Sequence, residues 1–186
     1  MGKSVTEKGI FRKTGRLKKQ HELLERLDKG EEIDFHAGDF TIHKIASVLN
    51  MFLGKLPEPL VTEKCYSAHL AVALLSDNCK SQEEKSAAIE KQIFCTQLLF
   101  ELIPEESFRL LKDLLFLLHG VSQREEENKI SSTNLGTMFS THIFCPKLIP
   151  PEELQDKSGL LAKAATFLHS YSLCLASFWL RSSHFN

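Results

Sequence analysis

Apolar residues recur three and four positions apart along nearly the whole of this chain, and no run shows the sustained apolar–polar alternation of a half-buried strand. Such spacing gathers apolar side chains on one face of a helix and predicts an all-α fold. Leu17, Leu23, Leu24 and Leu27 make one stripe, ending near Gly30, which suits a helix C-terminus. Ile42, Ile45, Leu49, Phe52 and Leu53 make a second, with Asp39 or Thr41 available as its cap. That helix must stop close to Leu56, because Pro57 and Pro59 each remove an amide donor and restrict the residue before them. Further amphipathic stretches are expected over residues 63–75, 82–102 and 105–119, and another helix over about 130–139. Pro146, Pro150 and Pro151 then break the chain before a final helix from about Gly159. Residues 164–180 carry no full charge but are short for a membrane anchor and interrupted by Ser, Thr, His and Tyr, so a buried terminal helix is expected.

Composition narrows the possible functions. At 186 residues and 42% hydrophobic content, one compact domain is the natural size. Acidic and basic residues nearly cancel, 24 against 23, so no whole-molecule field draws the chain onto nucleic acid or an anionic membrane. Charge-based recognition must be local. Cys65, Cys79, Cys95, Cys145 and Cys174 are odd in number and form no C-x-x-C pair, which reads as reduced thiols in a cytoplasmic protein. The histidines form neither an H-x-x-x-H pair nor a Cys/His cluster, so no metal is assigned. The first ten residues are polar and charged, unlike a secretory signal. Gly2 opens a loose myristoylation pattern through Thr6, a pattern short enough to arise by accident. Gly2-Lys3-Ser4 echoes the end of a phosphate-binding loop but lacks its upstream glycine and strand. No G-x-S-x-G or similar context supports a self-contained hydrolase.

Three short segments could carry chemistry. Gly9-Ile10-Phe11-Arg12-Lys13-Thr14-Gly15 sets an arginine between two glycines, with Arg16, Lys18 and Lys19 following. Glycines permit turns closed to other residues, so the segment can present Arg12 on an exposed loop. The arginine fork stays charged and can make paired hydrogen bonds to phosphate oxygens. A solvated basic loop before a helix would look the same, so the heptad alone decides little. Leu56-Pro57-Glu58-Pro59-Leu60 closes the second helix, and Asn128-Lys129-Ile130-Ser131-Ser132-Thr133-Asn134-Leu135 opens a later one. Asn134 is a poor choice for a helix interior, since its amide competes for backbone partners; alone it reads equally as an exposed or capping residue.

In this order and at these distances, and with Phe139 beyond them, the three patterns together resemble the GTPase-activating domain of the Rho family. The resemblance runs from about Gly9 to Leu175, leaving residues 1–8 as a stub and 176–186 as a tail without counterpart. It implies a single-domain helical bundle that works in trans on a small GTPase of Rho, Rac or Cdc42 type. Arg12 would be the arginine finger that enters the partner's nucleotide site. Asn134 would contact the switch regions, Pro59 would shape the groove floor, and Lys13, Lys129 and Asn50 would support GTPase binding. GTP and Mg²⁺ would belong to the partner, so the domain needs no cofactor and is an activator more than an enzyme. Such a protein would be cytoplasmic and reach membranes through its lipidated GTPase.

The sequence also departs from the family. Asn50 stands where a lysine commonly braces the arginine loop, keeping hydrogen-bonding capacity but losing charge and reach. Gly54 replaces a common basic residue one turn later. The F-x-P-like turn after the asparagine helix reads Phe139-Ser140-Thr141-His142, without its proline, which predicts that the loop following it is less fixed. Only eight residues precede Gly9, where the family usually places a helix, so that leading helix is expected to be missing. These differences motivate a second reading, a module that binds the GTPase without stimulating it. A third is a plain helical adaptor whose groove accepts another protein's helix.

Overall fold

A computed structural model describes residues 5–13, 17–35 and 40–175. Among them are α-helices and one 3₁₀ turn, with no strand: α1 Leu17–Asp28, α2 Ile42–Lys55, the 3₁₀ turn Glu63–Cys65, α3 Tyr66–Ala73, α4 Gln82–Phe100, α5 Glu105–Ser122, α6 Glu125–Asn128, α7 Ser132–Phe144 and α8 Pro151–Ser170, followed by helical residues at 172–175. The all-α expectation holds. The helices fall into two compact sets, one built from residues 1–56 and 123–130, the other from residues 57–122 and 131–186.

In the first set, Leu23 and Leu24 of α1 pack with Phe40 and with Val48 of α2, flanked by Ile33, Ile45 and Met51. The helix α1 ends as the sequence indicates. Gly30 takes φ +71°, its N–H donates to Leu27 O at 2.9 Å, and Glu31 N–H donates to Arg26 O at 3.0 Å. These two bonds satisfy carbonyls that the last helical turn would otherwise leave open. Thr41 occupies the N-cap position of α2 without a side-chain capping bond, and Asp39 lies outside the described residues. Leu56, forced out of the helical region by Pro57, ends α2 at φ −56°, ψ 142°.

The second set is centred on α7 and α8, and α8 also touches α3 and α5. Leu111, Leu115 and Leu118 of α5, Leu135, Phe139 and Ile143 of α7, and Leu161, Ala165 and Leu168 of α8 are all buried. Gly136 lets α7 and α8 approach closely: a Cβ there would sit 2.5 Å from Ala162 O and closer still to Thr166 Oγ1. The α4 N-terminus carries a complete capping box, with Glu84 N–H donating to Ser81 Oγ and Ser81 N–H donating to the Glu84 carboxylate.

Several boundaries correct the sequence reading. The last long helix begins at Pro151, eight residues before Gly159, because a proline is tolerated in the first turn, where its amide would lack a partner anyway. It ends at Ser170, so residues 164–180 are not one uninterrupted helix; those from 176 onward lie outside the described residues. The single turn α6 has no counterpart in the apolar periodicity. Helix α7 starts at Ser132 and runs through Phe139-Ser140-Thr141-His142 to Phe144, so the segment read as a turn after the asparagine helix is part of that helix. No helix among the described residues is long and apolar enough to cross a membrane.

Candidate functional site

Thr14, Gly15 and Arg16 lie outside the described residues; from Gly9 to Lys13 the arginine segment is a run of tight turns with its apolar side chains buried and its charges out. Gly9 takes φ +77° and Phe11 takes φ +67°. For a bulky residue such a φ costs on the order of 1–3 kcal/mol and persists only where the surroundings impose it. Here Ile10 and Phe11 are buried at 4% and 8% exposure, which anchors the strained turn, while Arg12 and Lys13 are exposed. The turn is closed by Ile10 N–H to Glu7 O at 3.1 Å, and by the amides of Arg12 and Lys13, both donating to Gly9 O at 3.0 Å. The Lys13 stem runs back over Gly9, where a Cβ would lie 3.2 Å from Lys13 Cε. Glycine at position 9 thus serves both the positive φ and this close approach.

The loop is tied to the start of the third motif. Gly9 N–H donates to Asn128 O at 2.9 Å, and Asn128 Nδ2 donates to Val5 O at 3.0 Å. Asn128 is fully buried at the end of α6, and Lys129 follows it in a left-handed turn, φ 62° and ψ 35°, with an exposed side chain. Lys129 therefore belongs to the same compact set as Arg12 and Lys13. Close by in sequence, Glu7 Oε1 lies 3.4 Å from His43 Nε2 of α2. Asn50, on the same helix, has its Oδ1 buried without a hydrogen-bond partner.

Pro59 and Asn134 belong to the second set. Pro59 is buried, and the two residues after it cap α7: Leu60 N–H donates to His142 O at 3.2 Å and Val61 N–H to Ile143 O at 3.1 Å. These carbonyls lie in the last helical turn and have no intrahelical donor available. The L-P-E-P-L segment is therefore more than a stop for α2. It also holds the far end of the helix that starts with the asparagine motif. Asn134 sits in the first turn of α7, exposed, with its backbone N–H donating to Ser131 Oγ at 3.2 Å. The cap is Ser131, which leaves the Asn134 amide group on the surface. Burial pushes the His142 imidazole below its usual range, helped by the nearby Lys147 charge.

Sequence reasoning singles out Arg12, Lys13, Lys129 and Asn134 by residue type, and all four are exposed. It misses Asn128, which enters only as the first letter of a motif, and the capping amides of Leu60 and Val61. The burial of Asn128 leaves little trace in sequence, and backbone donors leave none. No group of three or more His, Cys, Asp or Glu side chains among the described residues is arranged to hold a metal ion.

The sequence profile of the RhoGAP domain matches residues 2–148. Rho GTPase-activating protein 19 of Homo sapiens is 36% identical over 182 residues, covering 96% of this chain and 37% of that protein. The Gallus gallus protein of the same name is 37% identical over the same shares. Rho GTPase-activating protein 29 of Danio rerio is 30% identical over 169 residues, 85% of this chain and 12% of that protein. This chain thus spans little more than a third of the length of its first curated relatives. Among solved structures, the BH domain from Graf, described as the GTPase regulator associated with focal adhesion kinase, superposes with a TM-score of 0.73 at 21% identity over 94% of this chain and 87% of that one. Human Rho GTPase activating protein 15 gives 0.76 at 18% identity, over 90% and 74%. Motif order, helical architecture and these matches agree: the chain belongs to the RhoGAP domain family.

Proposed function

We propose that this domain binds GTP-loaded small GTPases of the Rho family and accelerates their GTP hydrolysis by supplying Arg12 in trans. The observation that carries the reading is the build of the arginine loop, in which buried Ile10 and Phe11 fix a strained turn and leave Arg12 exposed. The backbone that carries the arginine is thereby fixed before binding, so only the side-chain rotamers remain to be ordered when the guanidinium enters a phosphate site. There it offsets the charge that develops on the transferring phosphoryl group, an effect worth about 10³ to 10⁵ in rate for arginine fingers in general. Asn134, exposed on the first turn of α7, is assigned to contact with the GTPase switch regions, with Lys13 and Lys129 adding positive charge. The water, GTP and Mg²⁺ belong to the partner, so the domain acts as an activator without a cofactor of its own. Its place of action is the cytoplasm, with membranes reached through the lipidated GTPase.

Asn50 and Gly54 favour a second reading, a domain that holds the GTPase without stimulating it. The uncharged Asn50 leaves a buried acceptor unpaired on α2 and provides no cation to brace the loop. Single-turnover hydrolysis on purified Rho-, Rac- and Cdc42-type GTPases separates the two. Stimulation by the wild type that Arg12→Ala abolishes, with binding to a GTP-analogue-loaded partner largely kept, is the expected result. Nucleotide-dependent binding with no stimulation favours the second reading, and an unchanged rate for Arg12→Ala refutes the finger assignment.

A further inference from the structure

We propose that Asn128 is a positioning residue for the arginine loop, which it acts on through hydrogen bonds rather than by touching the GTPase. The inference rests on the activator reading above only for its kinetic consequence. Asn128 is fully buried, and its side chain is fixed at both polar atoms. Its Oδ1 accepts from Ile130 N–H at 2.8 Å, two residues ahead, closing an Asx turn around the left-handed Lys129. Because Ile130 N–H can only donate and Val5 O can only accept, the amide orientation is forced, with Nδ2 on Val5. The main-chain oxygen of the same residue takes Gly9 N–H. One residue therefore ties down both Val5 and Gly9, the two ends of the turn that leads into the finger.

The path from there to the arginine is short. Gly9 N–H is held by Asn128 O, and Gly9 O in turn accepts from the amides of Arg12 and Lys13. A shift of Asn128 is thus passed to the Arg12 backbone through two peptide hydrogen bonds and no flexible side chain. Asparagine suits the position because one short side chain offers both a donor and an acceptor. Aspartate would keep the bond to Ile130 but set a carboxylate oxygen against Val5 O. Serine could keep the local turn yet could not reach Val5.

The test measures Asn128→Asp and Asn128→Ser in the whole chain, beside wild type and Arg12→Ala, by single-turnover hydrolysis on a GTP-loaded Rho-family GTPase. Thermal melts and amide hydrogen exchange at Gly9 accompany it. Misplacing a catalytic group by about 1 Å costs on the order of 10²-fold, so both variants are expected to lose about 10- to 100-fold in saturating rate. Half-saturation should change little, and Gly9 exchange should quicken. Two folded variants with the wild-type rate, or with unchanged Gly9 protection, overturn the proposal. If the wild type gives no stimulation, or Arg12→Ala keeps it, the activator reading is what fails. In that case Gly9 exchange alone decides whether Asn128 holds the loop, since that readout needs no GTPase. Should Asn128→Asp fail to fold, Asn128→Ser, which adds no buried charge, carries the decision.

Discussion

Phe11 and Arg12 divide the work of presenting a charge: one side chain is buried at a left-handed φ, and the next is exposed. The buried ring holds a backbone geometry that a solvated loop would abandon, so the backbone at Arg12 is placed before any partner arrives. As the proposed finger, Arg12 offers the geometry of its donor fork as well as charge. Arg12→Lys keeps the charge but replaces a planar fork of donors with a compact ammonium. It is expected to retain GTPase binding while losing about 10²-fold of the stimulated rate, the usual cost of removing one aimed donor from a transition-state site. Single-turnover kinetics at saturating domain check this, and a rate equal to wild type would show that charge alone suffices. At this scale the sequence is informative where side-chain type matters, as for Arg12 between its glycines. It is silent on the part of Asn128, which is set by burial and by side-chain and main-chain bonds to backbone groups that leave no pattern in sequence.

At the scale of elements, the contact of α7 with α8 depends on the lack of a side chain at Gly136. A methyl group there meets the Ala162 carbonyl and Thr166, and the carbonyl cannot move aside without unwinding α8. Gly136→Ala is expected to destabilise the domain by about 2–3 kcal/mol, in the range of overpacked cores. At Gly159, inside α8, an added Cβ would meet nothing within 4 Å, so Gly159→Ala should stabilise by about 0.5–1 kcal/mol through helix propensity alone. Urea melts of the two variants should move in opposite directions, and a shared direction would contradict this packing account. The same helices show why some boundaries are legible and others are not. Gly30 marks the end of α1 because a positive φ selects for glycine, and Pro57 marks the end of α2 because it restricts Leu56. Pro151 misleads, since the same proline that breaks a helix interior is well placed in a first turn, and Glu152 and Glu153 beside it are the start signal that apolar spacing passes over. Helix α6 is a single turn, too short for any periodicity to register.

At the scale of the molecule, buried imidazoles link stability to pH. His69 packs against Phe100 and Phe144 with its Nε2 unpaired, and burial pushes its pKa down to about 4 from the ordinary 6.5. His169 is lowered chiefly by burial, opposed by its bond to Ala165 O, and His142 is lowered as well. Below pH 6.5 the unfolded chain takes up protons that these folded imidazoles refuse, so stability is full above that pH and falls as pH drops toward 4. For His69 alone the loss reaches about 3 kcal/mol at most. Urea melts at about pH 7.5 and about pH 5 should show the decline, and His69→Phe should flatten it; a slope unchanged by that substitution would assign the effect elsewhere. The order of the three motifs makes the family legible from sequence, yet their grouping is not. The arginine loop is bonded to Asn128, the L-P-E-P-L segment to the far end of α7, and Arg12 and Asn134 lie in different compact sets. Those links run through backbone atoms, which sequence patterns do not record. Whether Arg12 reaches a partner's phosphate site is decided by the structure of this domain bound to a Rho-family GTPase carrying GDP and a planar phosphate mimic. The Arg12 guanidinium is expected within hydrogen-bonding distance of that mimic, and a side chain directed into bulk solvent would refute the finger assignment.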